Sequence, residues 1–231
     1  MNVLIVYARP EPATFNGAMQ DLIVESLPAQ GYSVEVCDLG RHSLATRFVL
    51  ARKQTVAMEN FSIAADIVAE PANLTWADPA TFQFPIRWLG MPAILNGGAD
   101  RVFAGGFAYL PSHKYDSGMF NGKHAPVATT TGISADARAP DGVDGDMPTL
   151  LWPIHNGLLR YTGQDVLTRC VACMPSREDD ATRAKQLVGY RGRLETITET
   201  PHLFFHPAED YGANERLKPG ILARSRERRN V

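Results

Sequence analysis

The sequence predicts an α/β protein built on a doubly wound parallel sheet of five strands, with helices on both faces. Residues 2–8 form an apolar run rich in β-branched side chains, which is typical of a strand covered on both faces. An amphipathic helix pattern and an alternating strand pattern at 33–37 follow, so the first forty residues make a βαβ unit. Strands continue to alternate with helices along the chain, which is the pattern of an α/β sheet.

Cap, turn and periodicity signals place the elements in order. Thr14 is a good N-cap for the first helix, and Gly31 stops that helix. The later elements expected from periodicity are strands at 81–84, 125–130 and 165–174, and helices at 44–58, 63–76, after Pro92, at 147–161 and at 179–197. Because no Gly-x-Gly-x-x-Gly motif follows the first strand, the flavodoxin-like strand order 2-1-3-4-5 is favoured over a dinucleotide-binding Rossmann half. We expect a single domain over 1–220 and a frayed basic tail over 221–231.

Composition excludes several classes of function. The net charge of −2 and a pI of about 6.3 do not favour nucleic acid as a partner. No apolar run approaches the length of a membrane span, so no membrane insertion is predicted. Three cysteines are a sparse set that favours a reducing compartment, and we expect a cytoplasmic protein. Cys170 and Cys173 form a C-x-x-C pattern inside an expected strand, where residues three apart point to opposite faces. This argues against a redox or metal role, and no metal site is predicted.

The loop after the first strand has the features of a phosphate site. It spans 9–16 and ends at a helix start, where backbone N–H groups and the helix dipole attract anions. Arg9 supplies a charge, Thr14 a hydroxyl and Asn16 an amide. Taken alone, the same loop is also explained as an ordinary N-cap after a strand.

Two further loops follow the third and fourth expected strands. Loop 85–90 is aromatic, and Trp88 offers a face for a flat heteroaromatic ring. Loop 129–132 combines threonines with Gly132, which lets the backbone approach a ligand closely. Taken alone, loop 85–90 is also explained as a hydrophobic loop that packs under the next helix. Loop 129–132 is also explained as a plain strand end. Since these strand ends lie side by side in the predicted sheet, the three loops together predict a flavin site.

The chain resembles the NAD(P)H:quinone oxidoreductases of the DT-diaphorase type, which are flavoenzymes with a flavodoxin-like fold. The resemblance runs from about residue 2 to residue 207. The matching segments, in order, are Thr14-Phe15-Asn16-Gly17-Ala18-Met19, Asp66-Ile67-Val68-Ala69-Glu70, Phe82-Gln83-Phe84-Pro85 with Trp88 and Gly90, Pro92-Ala93-Ile94-Leu95, Arg101-Val102-Phe103, Phe107-Ala108-Tyr109, Tyr115-Asp116, Gly145-Asp146-Met147, Leu151-Trp152-Pro153-Ile154 and Arg193-Leu194-Glu195.

The resemblance implies FAD as the cofactor, NAD(P)H as co-substrate, and a homodimer with two active sites at its interface. The residues that it places at the cofactor are Arg9, Thr14, Phe15, Asn16 and Ala18 around the pyrophosphate, Pro85, Ile86, Arg87, Trp88 and Leu89 along the isoalloxazine, Thr130, Thr131 and Gly132 at the pyrimidine side, and Arg183 nearby. It implies a substrate pocket walled by Trp88 and by Tyr109 over the flavin. Tyr161 would be the equivalent wall lent by the partner subunit.

This chain departs from the family at the pyrimidine edge of the flavin. The tyrosine and histidine that the family uses there align with Arg138 and Asp144, in a loop that is acidic here. We predict that Arg138 stabilises the negative charge that reduction places on the flavin, and that Asp144 orients Arg138 by an ion pair. With Tyr109, these are the candidate catalytic residues. The alternative is that Arg138 and Asp144 both point to solvent.

The sequence therefore predicts an NAD(P)H-dependent flavin oxidoreductase that reduces quinones or similar planar aromatic acceptors by a ping-pong mechanism. Pro111 and Ile133 replace a pocket tyrosine and a glycine of the family, which leaves the physiological acceptor open. A reductase for a specialised metabolite and a flavin-binding regulatory subunit of a membrane transporter remain as alternatives. FMN in place of FAD, and the preference between NADH and NADPH, also remain open.

Overall fold

The computed structural model describes residues 1–8, 13–40 and 69–223. The strands are β1 (Asn2–Tyr7), β2 (Ser33–Asp38), β3 (Ala80–Pro85), β4 (His124–Ala125), β5 (Val127–Thr131), β6 (Asp165–Val166) and β7 (Cys170–Cys173). The helices are α1 (Phe15–Ala29), α2 (Ala69–Trp76), α3 (Ala93–Val102), α4 (Met147–Ile154) and α5 (Asp180–Glu195), and a π-helical turn (His155–Arg160) continues α4.

Five parallel strands form the central sheet in the order β2-β1-β3-β5-β7. This confirms the predicted order 2-1-3-4-5 and the doubly wound α/β fold. The pairing register places Tyr7 opposite Gln83, Pro85 opposite Thr130, and Thr131 opposite Cys173. The carboxyl ends of four strands therefore meet at one edge of the sheet.

Two apolar clusters cover the two faces of the sheet. On one face, Ile5 packs against Ile23 and Leu27 of α1 and against Leu194 of α5. On the other face, Leu4 belongs to the cluster that includes side chains from α3 and α4. Fully buried side chains such as Ile23 and Leu27 each stabilise the fold by about 1.5–3 kcal/mol. Successive apolar side chains of β1 point to opposite faces of the sheet, which explains why helices cover both faces.

The later strands and helix are more broken than predicted. Pro126 divides the predicted fourth strand into β4 and β5, because proline cannot donate to a ladder. The predicted fifth strand, 165–174, is two strands, of which β6 leaves the central sheet to pair with β4. The predicted helix 147–161 begins at Met147 as α4, and its hydrogen bonding widens to the π pattern from His155, shortly after Pro153.

Some sequence predictions lie outside the described residues. The expected helix 44–58 is one of them, and of the expected helix 63–76 only α2 (Ala69–Trp76) is described. The last described residue is Ala223, so most of the predicted basic tail, 221–231, also lies outside. The single domain over 1–220 stays a prediction.

The described residues also show the state of the cysteines, the possible metal ligands and the helices. Cys37, Cys170 and Cys173 are all free thiols. The described residues contain no group of histidine, cysteine and carboxylate side chains that could hold a metal ion. Within the same residues, no helix is both long and apolar enough to cross a membrane.

Burial shifts the pKa values of the β7 thiols upward. Desolvation raises the pKa of Cys170 above its usual 9.0, with the charge of Arg193 opposing the rise. Desolvation also raises the pKa of Cys173, with Arg138 opposing it. Both thiols therefore stay protonated at neutral pH, which does not suit a redox pair.

We predict that the free energy of unfolding falls as pH rises from 8 through the usual thiol pKa of 9.0. In that window the unfolded thiols ionise while the folded thiols keep their protons, so alkaline pH favours the unfolded state. Urea titrations at several pH values measure this slope. The slope should be shallower in the Cys170→Ala, Cys173→Ala double variant, and an equal slope in that variant would contradict the assignment.

Candidate active site

A cleft of about 940 Å³ opens where the carboxyl ends of the strands meet. It is lined by the start of α1, the ends of β3 and β5, the segment after β7 and the first turns of α5. The cleft brings together the predicted cofactor residues Thr14, Phe15, Asn16, Ala18, Pro85, Ile86, Arg87, Thr130, Thr131, Gly132 and Arg183. Arg9 lies outside the described residues, and Trp88 and Leu89 project beyond the cleft wall.

The N-terminus of α1 faces the cleft. The Oγ1 atom of Thr14 accepts a hydrogen bond from the N–H of Gly17 at 3.2 Å, which confirms Thr14 as the N-cap. The first turn of α1 carries no acidic side chain, so nothing there offsets the positive end of the helix dipole. This end of the cleft is suited to an anionic group.

A buried amide pair anchors α1 to the central strand. The Nε2 atom of Gln83, which is fully buried in β3, donates to the carbonyl oxygen of Asn16 at 2.6 Å and approaches the Oδ1 atom of Asn16 at 3.3 Å. This pairing turns the Nδ2 atom of Asn16 away from Gln83. That Nδ2 atom is buried without a hydrogen-bond partner among the described residues. Asn16 lines the cleft, so this unused donor lies just beneath the cleft wall.

Short hydrogen bonds hold the β3 and β5 ends together. The N–H of Ile86 donates to the Thr130 carbonyl at 2.8 Å, and the Thr129 hydroxyl donates to the Phe84 carbonyl at 2.7 Å. The Oγ1 atom of Thr131 accepts from the N–H of Ile133 at 3.3 Å. These bonds fix one wall of the cleft before any ligand binds.

The chain after Ile86 makes a tight turn with unusual residues. Arg87 and Gly90 exchange backbone hydrogen bonds of 3.0 and 2.9 Å, and Trp88 and Leu89 between them have φ values of +46° and +61°. Such a turn normally carries Asn-Gly, because left-handed backbone costs other residues about 1–2 kcal/mol each. The turn nevertheless presents Trp88, whose side chain is fully exposed. This is backbone strain at a surface where an aromatic side chain is displayed.

The far end of the cleft belongs to α5, which sequence reasoning largely missed. Asp179 caps α5 by accepting from the N–H of Thr182 at 2.7 Å, and these hydrogen bonds lower the pKa of Asp179. Arg183 donates to the Pro175 carbonyl at 3.2 Å and pairs with Asp180. The lining residues not predicted are Ala13, Asp21, Pro175, Ser176, Asp180, Ala184 and Leu187. A usable signal was that Pro175 directly follows the predicted strand 165–174, at the same edge as the other loops.

Arg138 and Asp144 do not pair as predicted. The guanidinium of Arg138 donates to the backbone carbonyl of Asp144, whereas the Asp144 carboxylate is exposed. Arg138 is only 5% exposed, so the alternative that both side chains point to solvent is wrong for Arg138. Neither residue lines the cleft.

Tyr109 and Tyr161 lie together within one chain. Their ring centroids are 5.7 Å apart, and Tyr115 packs edge-on against Tyr161 at 5.4 Å. Neither Tyr109 nor Tyr161 lines the cleft. The prediction assigned the two tyrosines to opposite subunits around one site. That assignment stays a prediction; within one chain the two rings are in contact with each other.

Comparisons with known proteins agree with this geometry. Residues 1–194 match the model of a family described by its flavodoxin-like fold. The rat NAD(P)H dehydrogenase (quinone) 1 is 35% identical over 226 residues, covering 91% of this chain and 82% of the rat chain. This chain belongs to the same family of flavodoxin-like quinone oxidoreductases.

Two further relatives extend the comparison. The human ribosyldihydronicotinamide dehydrogenase (quinone) is 36% identical over 210 residues, covering 84% of this chain and 91% of the human chain. A crystal structure of a Klebsiella pneumoniae protein assigned as a quinone reductase superposes with a TM-score of 0.85 at 34% identity, covering 95% of this chain and 94% of that chain. The family resemblance identified from the motifs is confirmed.

We predict that Gln83→Met lowers the free energy of unfolding by about 1–3 kcal/mol, because the buried hydrogen bond from Gln83 to the Asn16 carbonyl is lost. Gln186→Met is the matched control. Gln186 also donates through Nε2 to a carbonyl, that of Cys173 at 3.0 Å, but from a partly buried position where water can replace it. Urea unfolding of both variants measures the difference. Equal decreases in the free energy of unfolding of the two variants would contradict this prediction.

Proposed function

We propose that this protein is an NAD(P)H-dependent flavin oxidoreductase that reduces quinones or similar planar aromatic acceptors by two electrons. The observation that carries the proposal is the cleft at the carboxyl ends of the strands, in a chain whose relatives are named as quinone dehydrogenases. A bound flavin would supply the hydride chemistry between the nicotinamide donor and the acceptor, for which we propose a ping-pong order, and the residues of the cleft would hold and orient it.

The residues of the cleft fit a flavin nucleotide. The positive end of α1 receives phosphate, and the unused Nδ2 donor of Asn16 lies just beneath that end of the cleft. Pro85, Ile86 and Arg87 offer a flat wall for the tricyclic ring. Thr130, Thr131 and Gly132 present hydroxyl and backbone groups to the polar edge of the ring. The protein thus binds and orients the cofactor.

The extent of the cleft supports FAD over FMN. A mononucleotide would occupy the part between α1 and the ends of β3 and β5. The cleft continues along α5 past Arg183 to Leu187, with Asp21 of α1 also on its wall. That extension suits the adenosine half of a dinucleotide, with Arg183 as its cationic contact.

A homodimer would complete the substrate pocket. Trp88 is fully exposed on a strained turn next to the cleft, and nothing within the described chain covers it. Tyr109 and Tyr161 form an aromatic pair outside the cleft of their own chain. We infer that a second copy brings its Tyr109 and Tyr161 rings over the cofactor, opposite Trp88. Planar acceptors then stack between aromatic walls.

The free cysteines support a cytoplasmic site of action.

The visible spectrum of the purified protein and mass spectrometry of the released cofactor test the proposal. We expect a yellow protein that releases FAD and oxidises NADH or NADPH when a quinone is supplied. An assay with N-ribosyldihydronicotinamide as donor belongs in the same experiment, since one relative is named for it. A colourless protein that neither flavin nucleotide reconstitutes would refute the proposal. Tight flavin binding without donor oxidation would favour a regulatory flavoprotein instead.

We predict that replacing the turn residues, Trp88→Asn with Leu89→Gly, raises the free energy of unfolding of the flavin-free protein by about 1–2 kcal/mol. The same change should raise the KM for aromatic acceptors up to about tenfold, because the indole face is lost. Urea unfolding and steady-state kinetics measure the two effects.

Glu215→Gly is the control for the turn. Glu215 also has a positive φ, +58°, and is exposed in a turn that does not line the cleft. The Glu215→Gly variant should relieve backbone strain without changing the KM for the acceptor. An unchanged KM in the Trp88 and Leu89 double variant would show that Trp88 does not contact the acceptor.

A further inference from the structure

Arg138 is the one arginine, lysine, aspartate or glutamate among the buried side chains of the described residues. The other buried polar side chains are amides, hydroxyls and the imidazole of His155. Burying a charge costs several kcal/mol unless a partner offsets the loss of water. A single buried guanidinium beside a ligand cleft therefore calls for a physical reason.

The contacts of Arg138 do not compensate its positive charge. One nitrogen, Nη1, donates to the carbonyl of Asp144. The Nε and Nη2 atoms are buried and have no hydrogen-bond partner among the described residues. A carbonyl dipole satisfies a donor but carries no net charge, so the guanidinium remains an uncompensated cation.

The surrounding loop is built to hold this cation in place. The N–H of Asp144 donates to the Ala137 carbonyl at 3.0 Å, which closes the loop around Arg138. Gly142 packs so closely that a Cβ there would lie 2.4 Å from the carbonyl oxygens of Asp136 and Ala137. Any other residue at 142 would force the loop apart. The position of the guanidinium is thus set by backbone packing.

The acidic side chains of the same loop do not neutralise Arg138. The carboxylates of Asp136, Asp141 and Asp144 belong to exposed residues, and Asp146 is engaged as the N-cap of α4, accepting from the N–H of Thr149 at 3.1 Å. Exposed charges are screened by water and salt, whereas a buried charge is screened much less. The charge of Arg138 is therefore screened less than the exposed carboxylate charges of its loop.

Arg138 lies toward the β5 and β7 side of the cleft. The loop of Arg138 leaves from Gly132, which lines the cleft. The charge of Arg138 acts on Cys173 at the end of β7, and the next residue, Met174, donates its N–H to the Thr131 carbonyl at 2.7 Å. Arg138 thus belongs to the loop that leaves the cleft wall at Gly132, and its charge reaches the end of β7, where Cys173 pairs with Thr131.

We propose that Arg138 is a fixed cation that makes the cleft hold a reduced flavin more tightly than an oxidised flavin, and so raises the reduction potential of the bound cofactor. This rests on the proposed function. A hydride from NAD(P)H adds two electrons and one proton to the flavin and leaves NAD(P)⁺, so the ring system gains one negative charge. A positive charge already in place stabilises that change without reorganisation.

The test compares the dissociation constants of oxidised and reduced flavin in four proteins: wild type, Arg138→Gln, Arg138→Lys and Arg177→Gln. Arg177 is exposed near the same sheet edge and does not line the cleft, so its variant removes the same charge from a screened position. In Arg138→Gln the preference for reduced flavin should fall about tenfold, which equals about 30 mV in the two-electron midpoint potential. Arg138→Lys and Arg177→Gln should keep most of the wild-type preference.

A midpoint potential in Arg138→Gln equal to that of wild type would overturn this proposal while leaving the proposed function intact. Failure of the wild type to bind any flavin would instead remove the proposed function. If Arg138→Gln does not fold, the wild-type protein still decides the matter. Its bound flavin must have a higher potential than free flavin, and an equal or lower potential refutes the role of Arg138.

Discussion

The parallel register of the central sheet is the constraint on which the rest of this molecule depends. Gln83 lies opposite Tyr7, and Pro85 lies opposite Thr130, so the loops after β1, β3 and β5 begin at one level. A slip of one residue along β3 would turn Gln83 to the other face and break its contact with Asn16. The cleft exists because the chain leaves the sheet at the same edge each time.

Local patterns were enough to predict what depends on single elements. The apolar run of β1, the cap at Thr14 and the glycine at 132 each have a short-range signature, and the sheet order then brings their loops together. The role of α5 was harder to foresee, because it depends on where β7 stops within a predicted strand of ten residues. The contact between Tyr109 and Tyr161 joins loops far apart in sequence and has no local signal. Burial of Arg138 runs against hydropathy, so composition alone argues for an exposed side chain.

Three features near the cleft are not explained by stability alone. Asn16 keeps an unused donor, Trp88 and Leu89 adopt costly backbone angles, and two nitrogen atoms of Arg138 are buried without a partner among the described residues. Buried polar atoms without a partner also occur elsewhere, as in the hydroxyl of Ser26. Strained backbone and an unused donor beside one cleft are nevertheless expected where ligand binding constrains the sequence.

The π-helical turn after α4 has an evolutionary consequence. It holds one residue more than a regular helix would need over the same rise, and Tyr161 follows at its end. Losing a single codon in this segment would restore the ordinary helix over the same rise and leave the residues after it near their present positions. Tyr161 would then keep its contact with Tyr109 while the sheet stayed intact. Single-residue insertions and deletions can therefore be absorbed in this segment without displacing the aromatic pair or rebuilding the scaffold.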